Sequence, residues 1–291
     1  MSGRPRLALA TYEKAPRLAP DDQRLIPALD RAGIHAEPAV WSGAASWESF
    51  DGVVIRSCWD YHRRSPEFHG WLDRLEAGGV ALWNAPPLVR WNADKRYLVD
   101  LAARGIATIP TVVVPRGRGR DVGAVAAAEG WPRLVVKPAV SASAYETHVL
   151  NTPLDEAALG IVARLTSAGD TLVQPFIDEV SMNGEYSFVF LDGVLSHVTI
   201  KRAAAGEFRV QTEYGGSVSA IDPPAAIAEQ ATRAMAALPV TPLYARVDGV
   251  ARGSAFLLME LELIEPNLFL GHSPGAHDRM AGAIARRLAT R

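Results

Sequence analysis

The stretch from Phe256 to Asn267 alternates carboxylates with apolar residues in a pattern that could bind a cation. It contains Glu260, Glu262 and Glu265 between leucine, isoleucine and methionine residues. Residues two apart share one face of a β-strand, so Glu260 and Glu262 point the same way. Adjacent carboxylates repel unless a cation lies between them, and their hard oxygens suit Mg²⁺ held jointly with phosphate oxygens. A solvated polar strand face is the alternative, which the apolar flanks disfavour.

A second apolar strand adds a third carboxylate and a fixed cation to this region. Asp248 directly follows the segment Tyr244-Ala-Arg-Val247. Arg246 lies two residues before Asp248, so both side chains share a face of the strand. A guanidinium there would stand near a reacting phosphate.

Two lysines stand in apolar surroundings. Lys95 opens a predicted helix, and Lys137 ends the apolar strand that begins at Leu134. A lysine at the end of a buried strand needs an anionic partner to offset its desolvation. Taken alone, each lysine is more typical of an exposed or ion-paired structural residue. Beyond Lys137, the small residues 139–144, including Ser141 and Ser143, could surround phosphate oxygens with backbone N–H groups and hydroxyls, or form a plain flexible turn.

A nucleotide would have to be held without the common glycine motifs. The sequence has neither GxxxxGK[ST] nor a strand-linked GxGxxG, which also weakens the reading as an NAD-dependent dehydrogenase. At Gln174-Pro-Phe-Ile177 a strand ends, and backbone groups that Pro175 leaves unpaired could face an adenine edge. Glu185 follows on the next strand, where a carboxylate could accept hydrogen bonds from both ribose hydroxyls.

The first 85 residues are predicted to form a small α/β unit with a mainly parallel sheet. We predict strands at Arg6–Thr11, His35–Val40 and Gly52–Arg56, and helices at Asp21–Gly33 and Pro66–Leu75. Open α/β sheets present ligand loops at the ends of their strands. The residues after the third strand, Arg56, Ser57, Asp60 and Tyr61, are therefore the predicted substrate-binding residues. Cys58 beside them is interpreted as a buried structural thiol, and Trp59 and Trp91 as packing residues.

An antiparallel sheet is predicted to dominate the second half of the chain. The predicted strands are Thr111–Val114, Leu134–Lys137, Thr171–Gln174, Tyr186–Leu191, Leu195–Lys201, Phe208–Thr212, Tyr244–Val247 and Phe256–Ile264. The predicted helices are Asp94–Ala103, Pro153–Ala168, Pro224–Ala237 and one from His277 to the C-terminus. Arg202 and Arg209 lie on or near these strands and are either site residues or surface arginines.

Bulk composition excludes several classes of protein. The 291 residues carry a formal net charge of -2, so no overall field favours nucleic acid or an anionic membrane as partner. The single cysteine excludes an internal disulfide framework. The apolar run at Leu7–Thr11 is too short for a signal sequence or a membrane span. We predict a cytoplasmic protein with a small-molecule substrate, and leave homo-oligomerisation open.

The ordered set of lysines, hinge and acidic strand resembles the ATP-grasp superfamily over nearly the whole chain, near prokaryotic glutathione synthetase and D-alanyl-D-alanine ligase. Four segments most resemble the subgroup containing the cyclo-ligase that makes D-cycloserine from O-ureido-D-serine. They are Arg56-Ser-Cys-Trp-Asp-Tyr61, Trp91-Asn-Ala-Asp-Lys-Arg-Tyr-Leu98, Gly215-Gly216 and Glu260-Leu-Glu-Leu-Ile-Glu-Pro-Asn-Leu-Phe269.

The resemblance implies a role for each candidate residue. Lys95 and Lys137 would bind phosphate beneath a flap at 141–144 that includes Ser141 and Ser143. The implied adenine hinge is Gln174, Phe176 and Ile177, the ribose carboxylate is Glu185, and the Mg²⁺ ligands are Asp248, Glu260 and Glu262. The implied catalytic cations are Lys137, Arg202, Arg209 and Arg246. The family pattern Glu-x-Asn is here Glu260-Leu-Glu262, so either Glu262 or Asn267 would complete the metal site.

The resemblance also implies a fold and a reaction. The expected fold combines an N-terminal parallel-sheet domain, residues 1–85, with two α+β ATP-grasp domains, 86–177 and 178–291, which sandwich ATP. The expected reaction is ADP-forming carbon–nitrogen ligation through an acyl phosphate, including cyclisation of O-ureido-D-serine. An intermolecular amino-acid or peptide amide ligase and a non-catalytic ATP-binding protein are the alternatives.

Overall fold

The N-terminal part of the chain folds as a parallel sheet with helices on its faces. The computed structural model describes residues 3–207, 209–210 and 214–290. Its first elements are β1 (Arg6–Thr11), α1 (Pro20–Gln23), α2 (Leu25–Arg31), β2 (His35–Val40), β3 (Gly52–Ser57), α3 (Ser65–Ala77) and β4 (Leu82–Trp83). The strand order is β2-β1-β3-β4, all parallel, which confirms the predicted sheet. The predicted helix 21–33 is two helices, because Arg24 forms a turn between them.

Two helices connect this sheet to the next, of which the first was not predicted and the second begins later than predicted. They are α4 (Pro86–Ala93) and α5 (Tyr97–Ala103). Pro86 and Pro87 open α4, since proline is tolerated in a first helical turn, where N–H groups have no intrahelical acceptor. Asp94 was the predicted helix start. Its backbone is extended and its carboxylate accepts a hydrogen bond from the Arg96 amide, so the helix begins only at Tyr97.

A four-stranded antiparallel sheet follows. The elements of this part are β5 (Val112–Val114), α6 (Asp121–Glu129), β6 (Arg133–Pro138), β7 (His148–Asn151), α7 (Glu156–Ala168) and β8 (Thr171–Pro175). The four strands pair in the order β5-β8-β6-β7. Neither α6 nor β7 was predicted from the sequence, and the predicted start of α7 at Pro153 is too early. The Asp155 carboxylate accepts a hydrogen bond from the Ala158 amide and caps the helix, which therefore begins at Glu156.

The last sheet has five antiparallel strands. Its elements are α8 (Glu179–Asn183), β9 (Glu185–Leu191), β10 (Val194–Arg202), β11 (Ser217–Ala220), α9 (Ala225–Ala236), β12 (Tyr244–Arg252), β13 (Ala255–Glu262) and α10 (Ala276–Ala289), with strand order β11-β10-β9-β12-β13. The pairing of β12 with β13 places Arg246 opposite Glu262 and Asp248 opposite Glu260. The predicted antiparallel sheet is thus confirmed.

Packing crosses the boundaries between the three sheets. Leu88, Leu98 and Leu101 of α4 and α5 share a core with Phe188 and other residues of the five-stranded sheet. The C-terminal helix α10 instead packs on α2 beside the N-terminal sheet. The five-stranded sheet is therefore tied to segments far from it in sequence. The predicted domain limits at 85 and 177 fall between sheets but stay a prediction.

Two further predictions concern the strand at 208–212 and the absence of a membrane span. The predicted strand Phe208–Thr212 lies mostly outside the described residues, since positions 208, 211 and 212 are not described, and residues 209–210 are not in a strand. None of the helices in the described part of the chain combines the length and apolar character needed to cross a bilayer.

Candidate active site

A deep pocket lies where the three sheets meet. Its walls come from the loop after β3, the α4–α5 connection, strands β6 and β8, and strands β9, β10, β12 and β13. Most of the predicted site residues line this pocket. They are Tyr61, Lys95, Lys137, Ser141, Ser143, Gln174, Phe176, Ile177, Glu185, Arg209, Arg246, Asp248, Glu260, Glu262 and Asn267.

Lys95 is held rigidly against the acidic strand. The Asn92 side-chain amide donates to the Leu261 carbonyl at 2.7 Å and accepts from the Leu263 amide at 2.8 Å. This clamp ties the end of α4 to β13, and Lys95 Nζ pairs with the carboxylate of Glu260. Burial lowers the pKa of Lys95, but the Glu260 carboxylate outweighs burial and the pKa is raised overall. Lys95 therefore stays charged.

Lys137 differs from Lys95 in having no acidic partner among the described residues. It lies at the end of β6 and makes no hydrogen bond or salt bridge to any residue that the structure describes. Burial lowers its pKa, and the attraction of Glu260 only partly offsets this effect. An ammonium group with neither full hydration nor a partner is poised to bind an anion.

The loop of small residues after β6 closes one side of the pocket with an unusual backbone. Ser143, Ala144 and Glu146 all have positive φ, at 52°, 53° and 53°. Such left-handed conformations are unfavourable for non-glycine residues, so other contacts must hold them. Tyr145 provides such contacts, because its ring lies 4.9 Å from the Arg63 guanidinium and 5.3 Å from the His62 ring. The loop thus bridges to the segment after β3.

The hinge candidates form a compact group at the end of β8. Gln174 is buried and its amide donates to the Thr111 hydroxyl at 2.9 Å. The Phe176 ring lies 3.7 Å from the Arg133 guanidinium, and its backbone amide donates to the Arg133 carbonyl. Ile177 adds buried apolar surface. Apolar walls beside a few fixed polar groups suit a flat heteroaromatic ring.

The five-stranded sheet carries a network of buried charges. Asp248 accepts from Ser187 at 2.6 Å, from Lys201 at 3.1 Å and from Arg246 at 2.8 Å. Lys201 also pairs with Glu185 at 2.7 Å. Burial would raise the pKa of Asp248, but Arg246 and Lys201 reverse that effect and hold the pKa well below its usual range. Asp248 is therefore charged and fixes Arg246 in place.

The carboxylates on β13 retain acceptor capacity. Lys95 engages Glu260 through Oε1, and Arg246 engages Glu262 through Oε1, which leaves Oε2 of each without a partner among the described residues. Burial raises the pKa of Glu262, and Arg246 offsets this rise only in part. Repulsion from Glu260 adds to the rise, so the pKa is about 7. A β-bulge between Asp248 and Gly249 offsets β12 at this point. Such bulges often re-aim side chains beside active sites.

The donor set fits a metal ion only in combination with another ligand. Within residues 3–207, 209–210 and 214–290, no three acidic, histidine or cysteine side chains converge on one point. Both Asp248 oxygens are occupied, and the Asn267 side-chain oxygen accepts from the Phe269 amide at 2.9 Å. Free oxygens therefore come from Glu260 and Glu262. This fits a Mg²⁺ ion that takes its remaining ligands from phosphate and water.

Three of the four predicted substrate residues are directed elsewhere. Arg56 is buried, with its Nε 3.0 Å from Asp22 and its Nη2 2.9 Å from the Pro266 carbonyl. Ser57 donates to the same Asp22 carboxylate, and Asp60 accepts from the Trp41 indole. These three side chains do not line the pocket, because tertiary partners satisfy them. Of the four, Tyr61 alone does.

Of the predicted arginines Arg202 and Arg209, only the second lines the pocket. Arg202 directly follows Lys201, so strand alternation turns it to the opposite face, where it lines a separate groove with Met182 and Tyr186. Arg202 therefore does not join the other predicted catalytic residues in the pocket. Arg209 does line the pocket, with its guanidinium 3.6 Å from the Tyr214 ring and 2.7 Å from Glu207.

Among the pocket residues that were not predicted as site residues are Lys201, Trp59 and Glu265. Lys201 bridges two carboxylates, and its period-two spacing from Thr199 along a strand could have identified its inward direction. Trp59, interpreted as packing, lines the pocket and donates to the Glu265 carbonyl at 3.1 Å. Glu265 also lines the pocket. Burial, followed by repulsion from Glu262, raises the pKa of Glu265 to about 8.

Comparison with known proteins identifies relatives along the entire chain. Residues 7–84 match the family described as the N-terminal domain of D-cycloserine synthetase DcsG. The cycloserine biosynthesis protein DcsG of Streptomyces lavendulae is 36% identical over 298 residues, which cover 97% of this chain and 98% of the relative.

Solved structures agree with this placement. A crystal structure of D-cycloserine synthetase DcsG has a TM-score of 0.89 and 33% identity, covering 97% of this chain and 99% of its own. A D-alanine–D-alanine ligase from Bacillus anthracis, complexed with ATP, has a TM-score of 0.70 and 16% identity over 98% of each chain. The second likeness supports the fold, and ATP is a ligand typical of it. The predicted ATP-grasp fold is confirmed. Because the curated relative exceeds 30% identity over nearly both full lengths, the chain belongs to the D-cycloserine synthetase DcsG family and is an ATP-dependent ligase of the ATP-grasp type.

Proposed function

We propose that this protein is an ADP-forming carbon–nitrogen ligase that activates a small amino-acid carboxylate, that of O-ureido-D-serine, as an acyl phosphate. The oxygen-bound ureido nitrogen then displaces phosphate to close the ring, and water removes the carbamoyl group as CO2 and NH3, which leaves D-cycloserine. The observation that carries the proposal is the unpaired Lys137 opposite the acid-lined strand β13 in one pocket. A pocket with an uncompensated cation beside free carboxylate oxygens suits a polyphosphate with its metal ion. The names of the relatives supply the substrate class.

The proposed nucleotide subsite uses both lysines and the hinge. Lys95 and Lys137 bind the phosphates beneath the 141–144 loop, with Ser141 and Ser143 as hydroxyl donors. Gln174, Phe176 and Ile177 contact the adenine, and Glu185 accepts from the ribose hydroxyls. A carboxylate offers about four acceptor sites, so Glu185 can bind ribose while it remains paired with Lys201.

The proposed Mg²⁺ site uses mainly Glu260 and Glu262, because each has a free Oε2. Asp248 and Asn267 are less suited as direct metal ligands, since their side-chain oxygens already accept hydrogen bonds. Between Glu262 and Asn267, this favours Glu262 as the second ligand. When bound, Mg²⁺ would supply positive charge that neutralises the phosphates, and Glu260 and Glu262 would hold it. The network around Asp248 would hold the remaining charges in position.

The chain's own catalytic contribution is position and electrostatics. Arg246 is fixed by Asp248 and Glu262, and so presents a preorganised cation to the oxyanion that forms when nitrogen attacks an acyl phosphate. Arg209 can add a second cation from the opposite wall. Lys137 moves no proton in this scheme, but stabilises negative charge on the transferred phosphoryl group. We propose no covalent nucleophile, since Cys58 is buried and burial raises its pKa far above the usual range.

The test is an ADP-release assay with product identification. Purified protein is incubated with ATP, Mg²⁺ and O-ureido-D-serine, and products are identified by mass spectrometry. We expect ADP and D-cycloserine without any added amine, and neither from the Lys137→Ala variant. ADP formation only after an amine is added would indicate an intermolecular amide ligase instead. ATP binding without turnover on any amino acid would indicate a non-catalytic binding protein and would overturn the proposal.

A further inference from the structure

The pocket contains one carboxylate that differs from all its neighbours. Four of the lining carboxylates have a basic partner, since Glu185 pairs with Lys201, Glu260 with Lys95, and both Asp248 and Glu262 with Arg246. The carboxylate of Glu265 has no salt bridge and no hydrogen bond to another residue of the described chain. Its carbonyl is engaged by Trp59, so the backbone at Glu265 is fixed.

The surroundings of Glu265 suit an organic cation. Trp59 and Tyr61 both line the pocket, and the Trp59 indole donates to the Glu265 carbonyl. Burial, and after it the nearby Glu265 carboxyl group, raises the pKa of Tyr61. Trp59 is itself supported by Tyr12, whose ring centroid lies 6.0 Å away. A carboxylate beside aromatic faces is a favourable environment for an ammonium group, because charge pairing and cation–π attraction act together. Segments after β3 and β13 build this subsite jointly.

Charge matching gives the subsite its orientation. Within the described part of the pocket, Lys137 has no acidic partner and the Glu265 carboxyl group has no basic partner. An anion beside Lys137 would offset the cost of its burial, and an ammonium group beside Glu265 would favour the ionised carboxylate, so a ligand that supplies both complements is favoured. ATP and an amino acid bound side by side supply both complements. A phosphate group of ATP would lie at Lys137, and the ammonium group of the amino acid would lie at Glu265.

We infer that Glu265, with Trp59 and Tyr61, forms the subsite that binds the α-ammonium group of the amino-acid substrate and so selects amino acids over simple carboxylic acids. This inference rests on the proposed function and names the specificity-determining residue within it. It also explains why Tyr61 lies in the pocket while its neighbours Arg56 and Ser57 do not: Tyr61 contributes to the ligand subsite, and the other two support the fold.

Equilibrium binding can test the subsite without turnover. The dissociation constant of O-ureido-D-serine is measured by calorimetry beside that of its analogue without the α-amino group. For the unmodified protein we expect the analogue to bind roughly 10- to 100-fold more weakly, the value of a hydrogen bond to a charged group. Glu265→Gln should weaken O-ureido-D-serine by a similar factor and leave the analogue unchanged. Glu129→Gln, an exposed acid on α6, is the matched control and should change neither.

The outcomes separate the inference from the proposed function. Equal binding of the two ligands to the unmodified protein, or equal weakening of both by Glu265→Gln, would overturn the subsite even if ADP and D-cycloserine are formed. A large rise in the Mg²⁺ concentration needed for ATP binding in Glu265→Gln would also overturn it, since Glu265 would then serve the metal. Preserved discrimination without ADP formation would reject the proposed function alone.

Discussion

The charges carried by strands and those carried by the loop after β3 follow different rules. On β10 and β12, neighbouring positions alternate between the pocket and the opposite face, so Lys201 enters the pocket and Arg202 does not. After β3, the residues Arg56 to Tyr61 have no such alternation, and only Trp59 and Tyr61 reach the pocket. Strand geometry fixes the direction of a side chain, whereas in a loop the tertiary partners decide it.

The largest expected effect tests whether Arg56 belongs to the fold. Arg56→Met leaves Asp22 buried without its guanidinium partner, so we expect the free energy of unfolding to fall by about 3–5 kcal/mol. Urea denaturation measures this change. The double variant with Asp22→Asn removes the orphaned charge and should recover part of the loss. A variant as stable as the original protein, but with a raised KM for the amino acid, would return Arg56 to the substrate site.

The next effect distinguishes the two pocket lysines. Lys137→Met removes a preorganised cation, so we expect kcat to fall about 10²- to 10³-fold. Stability should not decrease, because no described partner loses its counter-charge. Lys95→Met should lower activity and also stability, because it leaves Glu260 unpaired. Steady-state kinetics and thermal unfolding are measured for both variants. Equal stability losses would contradict the contrast between a paired and an unpaired lysine.

The same contrast explains how far the sequence could be read. The pattern of Glu260, Glu262 and Asp248 on apolar strands predicted pocket-facing acids, because period-two spacing carries direct geometric information. The pairing of each acid with a particular base was not predictable, since Lys95, Lys201 and Arg246 arrive from different segments. Glu265 belongs to the acidic stretch seen in the sequence, but it follows the end of β13, where strand alternation no longer applies. Its direction into the pocket was therefore not predictable. The fold was predictable because the two halves differ in their strand patterns.

A smaller effect concerns the loop that closes over the pocket. Tyr145 fastens the strained 143–146 backbone to Arg63 and His62, so Tyr145→Ala should loosen it. Because a cation–π contact near the surface contributes about 0.5–1 kcal/mol, we expect the KM for ATP to rise roughly 2- to 5-fold. Tyr145→Phe retains the ring and should behave like the original protein. If both variants raise KM equally, the hydroxyl rather than the stacked ring holds the loop.

The smallest effect is expected at Arg202, which strand alternation places on the face away from the pocket. Arg202 is exposed and lies on the groove side of β10, while Lys201 points into the pocket. Arg202→Ala should therefore change kcat and both KM values by less than about 2-fold, since an exposed substitution away from a site usually has little effect. Lys201→Ala, one residue earlier, removes the bridge between Glu185 and Asp248 and should lower both activity and stability. A strong kinetic defect in Arg202→Ala with normal stability would show that the face assignment of β10, and with it the rule drawn from the strands, is wrong.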